Sequence, residues 1–124
     1  MKSMSRNGLV EEAVVRLTSA AGGVEAVGAA VTVALCGHWD HSGTCRWPHN
    51  TSASPADGGA FTVVTIVIVD VADEPLVRSA IRQAVGAGEL PGVEAAGSWE
   101  VVTQRTRPMT PDEARVAGRL AARR

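Results

Sequence analysis

His38, His41, Cys45 and His49 stand at spacings of three, four and four residues inside "CGHWDHSGTCRWPHNT", residues 36–51. All three histidines and both cysteines of this 124-residue chain fall within residues 36–49, together with two of its three tryptophans. Imidazole and thiolate are the ligands that a borderline-soft ion such as zinc takes in tetrahedral geometry. One loop turning at Ser42 and Gly43 could wrap four such side chains around an ion. The spacing therefore points to a zinc site made of His38, His41, Cys45 and His49, although it lacks the CxxC knuckle of a zinc finger. Cys36 is an alternative fourth ligand. Asp40 could ligate, orient a histidine from behind, or act as base toward a zinc-bound water if three protein ligands leave the fourth position open. A reading without metal stands beside this one: the histidines bond the backbone, and "WPHN" is a turn anchored by Trp47 on the sheet.

The segment "CGHWDHSG", after an apolar run read as a strand, resembles the HxHxDHxG metal loop of the metallo-β-lactamase family. His38, Asp40 and His41 occupy matching positions, Gly43 follows them, and Cys36 stands where that family has its first histidine. The resemblance covers only this loop. It implies metal-capable geometry, and it does not imply hydrolase activity, because the further His and Asp ligands of that family have no counterpart after His49.

The elements that must position the loop are read from periodicity. Leu9, Val10, Ala13, Val14, Leu17, Ala20 and Ala21 recur at helical spacing, with Glu11, Glu12 and Arg16 opposite, which predicts a first helix ended by Gly22 and Gly23. Residues 31–36 read as a short strand, and residues 48–60, rich in Ser, Thr, Asn, Asp, Gly and Pro, as a loop. The β-branched run 61–71 predicts a central strand buried on both faces. Asp73 is a candidate cap for a helix bearing the stripe Leu76, Val77, Ala80, Ile81, Ala84 and Val85. Residues 98–107 alternate as an edge strand. Thr110, Pro111 and Glu113 then form a capping-box start for a last helix. The order α-β-β-α-β-α predicts an α+β fold: one three-stranded mixed sheet covered on one face by helices, related to the ferredoxin-like arrangement with its first strand missing. Its strands at 61–71 and 98–107 should run parallel across a right-handed crossover. An N-terminal helix and linker over 1–23 would precede a single domain over 24–124 whose His/Cys-rich loop spans 36–60.

Composition narrows the function. The formal net charge is −1, with six Lys or Arg against eleven Asp or Glu in residues 1–104 and six Arg against two acids in 105–124. Nucleic-acid binding is not expected, because no aromatic residue accompanies the basic tail. A basic start followed at once by Glu11 and Glu12 is no signal peptide, and residues 26–36 are too few to span a bilayer. The chain reads as cytoplasmic, with reduced cysteines rather than a structural disulfide. The expected function is a small zinc-binding protein, either a metal-dependent enzyme or a metal-stabilised domain. The alternative is a non-enzymatic interaction module that uses a sheet edge and the basic C-terminal helix, with the His/Cys loop structural. An unpaired sheet edge could serve a protein partner or a homodimer.

Overall fold

The structure is a computed structural model that describes residues 6–18, 23–36, 47–93 and 97–122. Seven elements follow one another: β1 (Arg6–Leu17), α1 (Glu25–Cys36), β2 (His49–Pro55), β3 (Phe61–Asp70), α2 (Glu74–Gly86), β4 (Trp99–Thr106) and α3 (Pro111–Ala122). The strands form one sheet in the order β2-β3-β1-β4, and every neighbouring pair is antiparallel. This is the complete βαββαβ arrangement called ferredoxin-like, with α3 added.

The first two predicted elements are corrected, and for one reason. Residues 6–17 form the inner strand β1, not a helix. Its two faces are both covered. Leu9, Ala13 and Val15 pack into the core with α1 and α2, while Val10 packs with Ile66, Ile68, Ala117 and Leu120 beneath α3. A strand apolar on both faces shows no alternation, so pairs such as Leu9–Val10 and Ala13–Val14 imitate a helical stripe. Conversely, residues 31–36 are the second half of helix α1, not a strand. The sequence signal was there in Val27, Val31 and Leu35, spaced by four and all buried, and in the many alanines, which favour helix over sheet.

Because β1 is hydrogen-bonded to β3 on one side and β4 on the other, residues 6–17 lie within the sheet that the rest of the chain builds. The sheet has four strands rather than three, and it is antiparallel throughout rather than mixed. Strands β3 and β4 do run in the same direction, yet β1 lies between them and the two never pair. The helices occupy both faces rather than one: α1 and α2 share the larger core, and α3 covers the second.

Residues 48–60, expected as a loop, contain the polar edge strand β2 and a tight turn into β3. Its Ser, Thr and Asn residues suit a strand half open to water. Gly58 and Gly59 take φ of 70° and 78° there, a conformation that glycine adopts without steric cost. Strand β3 sits between β2 and β1 as the central-strand reading required. Helix α2 buries Val77, Ile81 and Val85, but Leu76, assigned to the same stripe, is 58% exposed. Asp73 is the N-cap residue by position, with no side-chain cap hydrogen bond. The capping box of α3 is formed in full: the Glu113 N–H donates to Thr110 Oγ1 at 3.2 Å, and the Thr110 N–H donates to Glu113 Oε1 at 2.9 Å.

Candidate functional site

The His/Cys segment leaves the C-terminal end of α1 and returns into the edge strand β2. His38, Asp40, His41 and Cys45 lie outside the described residues. Cys36 and His49, at the two ends, are described, and neither is placed as a free ligand. Cys36, the last residue of α1, is disulfide-bonded, and the chain has one other cysteine, Cys45. The expectation of reduced thiols is thereby corrected at Cys36. A disulfide sulfur is not the thiolate that zinc requires.

His49 opens β2 and turns its ring toward α1. Its Nδ1 lies 3.1 Å from the carbonyl oxygen of Trp47, and its Nε2 lies 3.1 Å from Thr32 Oγ1. A carbonyl can only accept, so Nδ1 carries a proton, and in the neutral ring Nε2 keeps its lone pair facing the Thr32 hydroxyl. The one nitrogen able to hold a metal is therefore directed at the helix. Trp47 itself packs against the larger core, in keeping with a turn anchored by that ring. Among the described residues, no group of three or more His, Cys, Asp or Glu side chains could hold a metal ion.

Glu11 and Glu12, which the sequence reading placed on a helix surface, belong to two charged clusters on opposite faces of β1. Consecutive strand residues point to opposite sides, so the pair Glu11 and Glu12 presents one carboxylate to each. Glu11, 4% exposed, accepts from Arg78 Nη1 at 2.7 Å and Arg82 Nε at 3.0 Å, and also from the Thr106 hydroxyl. Arg78 and Arg82 reach it together because residues four apart share one face of α2. Beside this cluster is a small hollow of about 10 Å³, lined by Ala13, Val63, Thr65, Ile81, Val85 and Gln104 among others. It has room for roughly one water and not for a ligand. A buried carboxylate bonded in this way ties α2 to the sheet.

On the other face, Glu12 accepts from Arg107 and Arg105. Arg107 also forms a two-pronged pair with Glu113, both contacts at 2.7 Å, which clamps the start of α3 to β1. Hydrogen bonds from Arg107 hold Glu12 below the usual carboxylate range and bring Glu113 down to about 2. The same partners, Glu113 first, raise Arg107. Because the folded pKa values are depressed, this clamp contributes stability that is present above the ordinary carboxylate pKa of about 4.3 and is lost as pH falls toward about 2. The urea midpoint should therefore drop between pH 6 and pH 2.5, roughly the span over which such carboxylates take up protons. Arg107→Ala should be less stable at pH 6 and show a flatter curve. Parallel curves for the two proteins would remove the clamp from the account.

Three arginines of the basic tail, Arg105, Arg107 and Arg115, are thus engaged with Glu12, Glu113 and Asp112. The tail presents less free positive charge than its composition suggests. No helix among the described residues is long and apolar enough to cross a membrane. Comparison with known proteins adds no relative: no family model, curated protein or solved structure matches this chain.

Proposed function

We propose that this chain is a non-enzymatic interaction module, in which the residues flanking the His/Cys segment are structural and the outer strand β2 is the contact surface. The observation that carries the reading is the arrangement at the two ends of that segment. Cys36 is in a disulfide, and both His49 nitrogens are held by Trp47 and Thr32. His49, one of the four residues expected to supply metal chemistry, instead links β2 to Thr32 of α1. With three of the six tail arginines paired inside the chain, the sheet edge is the better supported of the two surfaces considered. Disulfides persist in oxidising compartments and are rare in the cytosol, so the bond at Cys36 favours an oxidising surrounding over the cytoplasmic location expected from the sequence.

A photo-crosslinking side chain placed at the exposed position Asn50 on β2 tests the reading, with the exposed position Ala87 beyond α2 as control. Protein adducts are expected from position 50 and not from position 87, and they should disappear when Ala53→Pro is added. Absence of any adduct at position 50 would overturn the reading.

Zinc binding remains the second reading, favoured by the spacing of His38, His41, Cys45 and His49. The two readings predict opposite results. On the module reading, the oxidised, untagged protein is expected to hold far less than one equivalent of zinc. If instead it holds about one equivalent that Cys45→Ser removes, as a site using that ligand demands, the metal reading replaces the module.

A further inference from the structure

We infer that the disulfide at Cys36 is a redox switch over metal binding: the oxidised chain holds no zinc, and reduction turns residues 36–45 into a zinc site with two thiolate ligands. Interaction module and zinc protein are then two oxidation states of one chain. The ligand set also differs from the one that spacing alone suggested.

Cys36 is the half-buried last residue of α1. No cysteine among the described residues is free, and the chain has one other, so the bond joins Cys36 to Cys45. Closing so short a loop stabilises a fold less than closing a long one, because the effect grows with the length enclosed. This domain is held by other means. Cys36 belongs to neither apolar core, whereas its neighbour Leu35 is 4% exposed in the larger one. On the far side of the segment, Trp47 packs on the same core and His49 reaches Thr32 of α1. Both flanks are thus fixed without the sulfur bridge, and opening the bridge leaves the domain folded.

Reduction is a two-electron step. A thiolate of a dithiol reductant attacks one sulfur, the other sulfur leaves as a thiolate, and the reductant closes to its own disulfide while its two protons pass to the protein thiols. A zinc ion then displaces those two protons. The sequence places His38 and His41 between the cysteines, so the reduced segment offers two thiolates and two neutral imidazoles, a set that zinc takes in tetrahedral sites and that cancels its charge. Oxidised, the same residues contain no thiolate, and two imidazoles do not complete a tetrahedron. His49 stands outside this set. Its ring nitrogens lie 3.1 Å from the Trp47 carbonyl oxygen and from Thr32 Oγ1, so recruiting it would break the link between β2 and α1, whereas recruiting Cys36 breaks only the disulfide.

Zinc uptake by the untagged full chain, oxidised and after reduction with a water-soluble phosphine, tests this. A phosphine opens the bond without holding zinc as a dithiol does. The reduced chain is expected to bind about one equivalent of zinc and the oxidised chain far less. Co²⁺ in place of zinc should give thiolate-to-metal charge-transfer absorption in the reduced chain only. His49→Gln should keep the metal of the reduced chain, and Cys36→Ser should lose it. Circular dichroism and urea denaturation should show the reduced, metal-free chain folded. No uptake after reduction would overturn the switch, as would equal uptake in both states or an unfolded reduced chain. Metal lost with His49→Gln or kept with Cys36→Ser would overturn the ligand set. None of these results removes the interaction module, which crosslinking from position 50 decides separately.

Discussion

Val67→Asp is expected to yield no soluble, cooperatively folding protein. Val67 lies on β3 between Leu9 of β1 and His49 of β2. It is 0% exposed, in the core that α1 and α2 cover. A carboxylate there would sit among the apolar side chains of that core, and a buried, uncompensated charge costs several kcal/mol, a large part of the ~5–15 kcal/mol by which domains are stable. Val67→Thr keeps the shape and buries one hydroxyl, so it should fold with a loss of about 1–3 kcal/mol. Solubility screening and urea denaturation of the two variants give the comparison. A soluble Val67→Asp protein with a normal unfolding transition would show that β3 is not enclosed, and the strand order would have to change.

The second large effect is expected at Trp99, the first residue of β4. Its ring is 4% exposed, and its indole N–H donates to the Val85 carbonyl at 2.7 Å. That carbonyl lies in the last turn of α2, where its backbone contact, from the Gly88 N–H, is long at 3.4 Å. The indole thus both fills the core and caps the helix. Around it the chain is tight: the Trp99 N–H bonds the Gly88 carbonyl at 2.9 Å, and a Cβ at Gly88, which has φ of 78°, would stand 2.9 Å from the Trp99 carbonyl oxygen. Trp99→Ala should lose about 3–5 kcal/mol, as large-to-small core changes do. Trp99→Phe keeps most of the apolar contact and loses the hydrogen bond, so its cost should be about 1–2 kcal/mol. Equal losses for the two, measured by denaturation at neutral pH, would mean that the ring's volume contributes nothing beyond its N–H.

Elements whose signal is local were legible from the residues alone. The β-branched run of β3 and the Thr110–Glu113 box of α3 needed no knowledge of their neighbours, and α2 was recognisable by its stripe, apart from Leu76. The edge character of β4 could also be read from its mixture of polar and apolar residues. Strand β1 and helix α1 were exchanged because each is apolar on more than one side. Periodicity identifies an element by the contrast between a buried and a wet face, and double coverage by helices removes that contrast.

The chemistry divides in the same way. Residue types and spacing determined that the segment 36–49 concentrates this chain's imidazoles and thiols, and that a zinc ion would suit them. Only the tertiary structure decided what the two described ends do: the strand start turns His49 toward Thr32 of α1, and the helix end carries Cys36 into a disulfide. It also decided the fate of Glu11 and Glu12. Neighbours in sequence, they lie on opposite faces of β1, where one joins α2 to the sheet and the other, through Arg107, joins α3. A side chain's chemistry is written in its type, but its partner depends on which face it occupies and on what packs there. Both follow from long-range pairing of strands that are far apart in the chain.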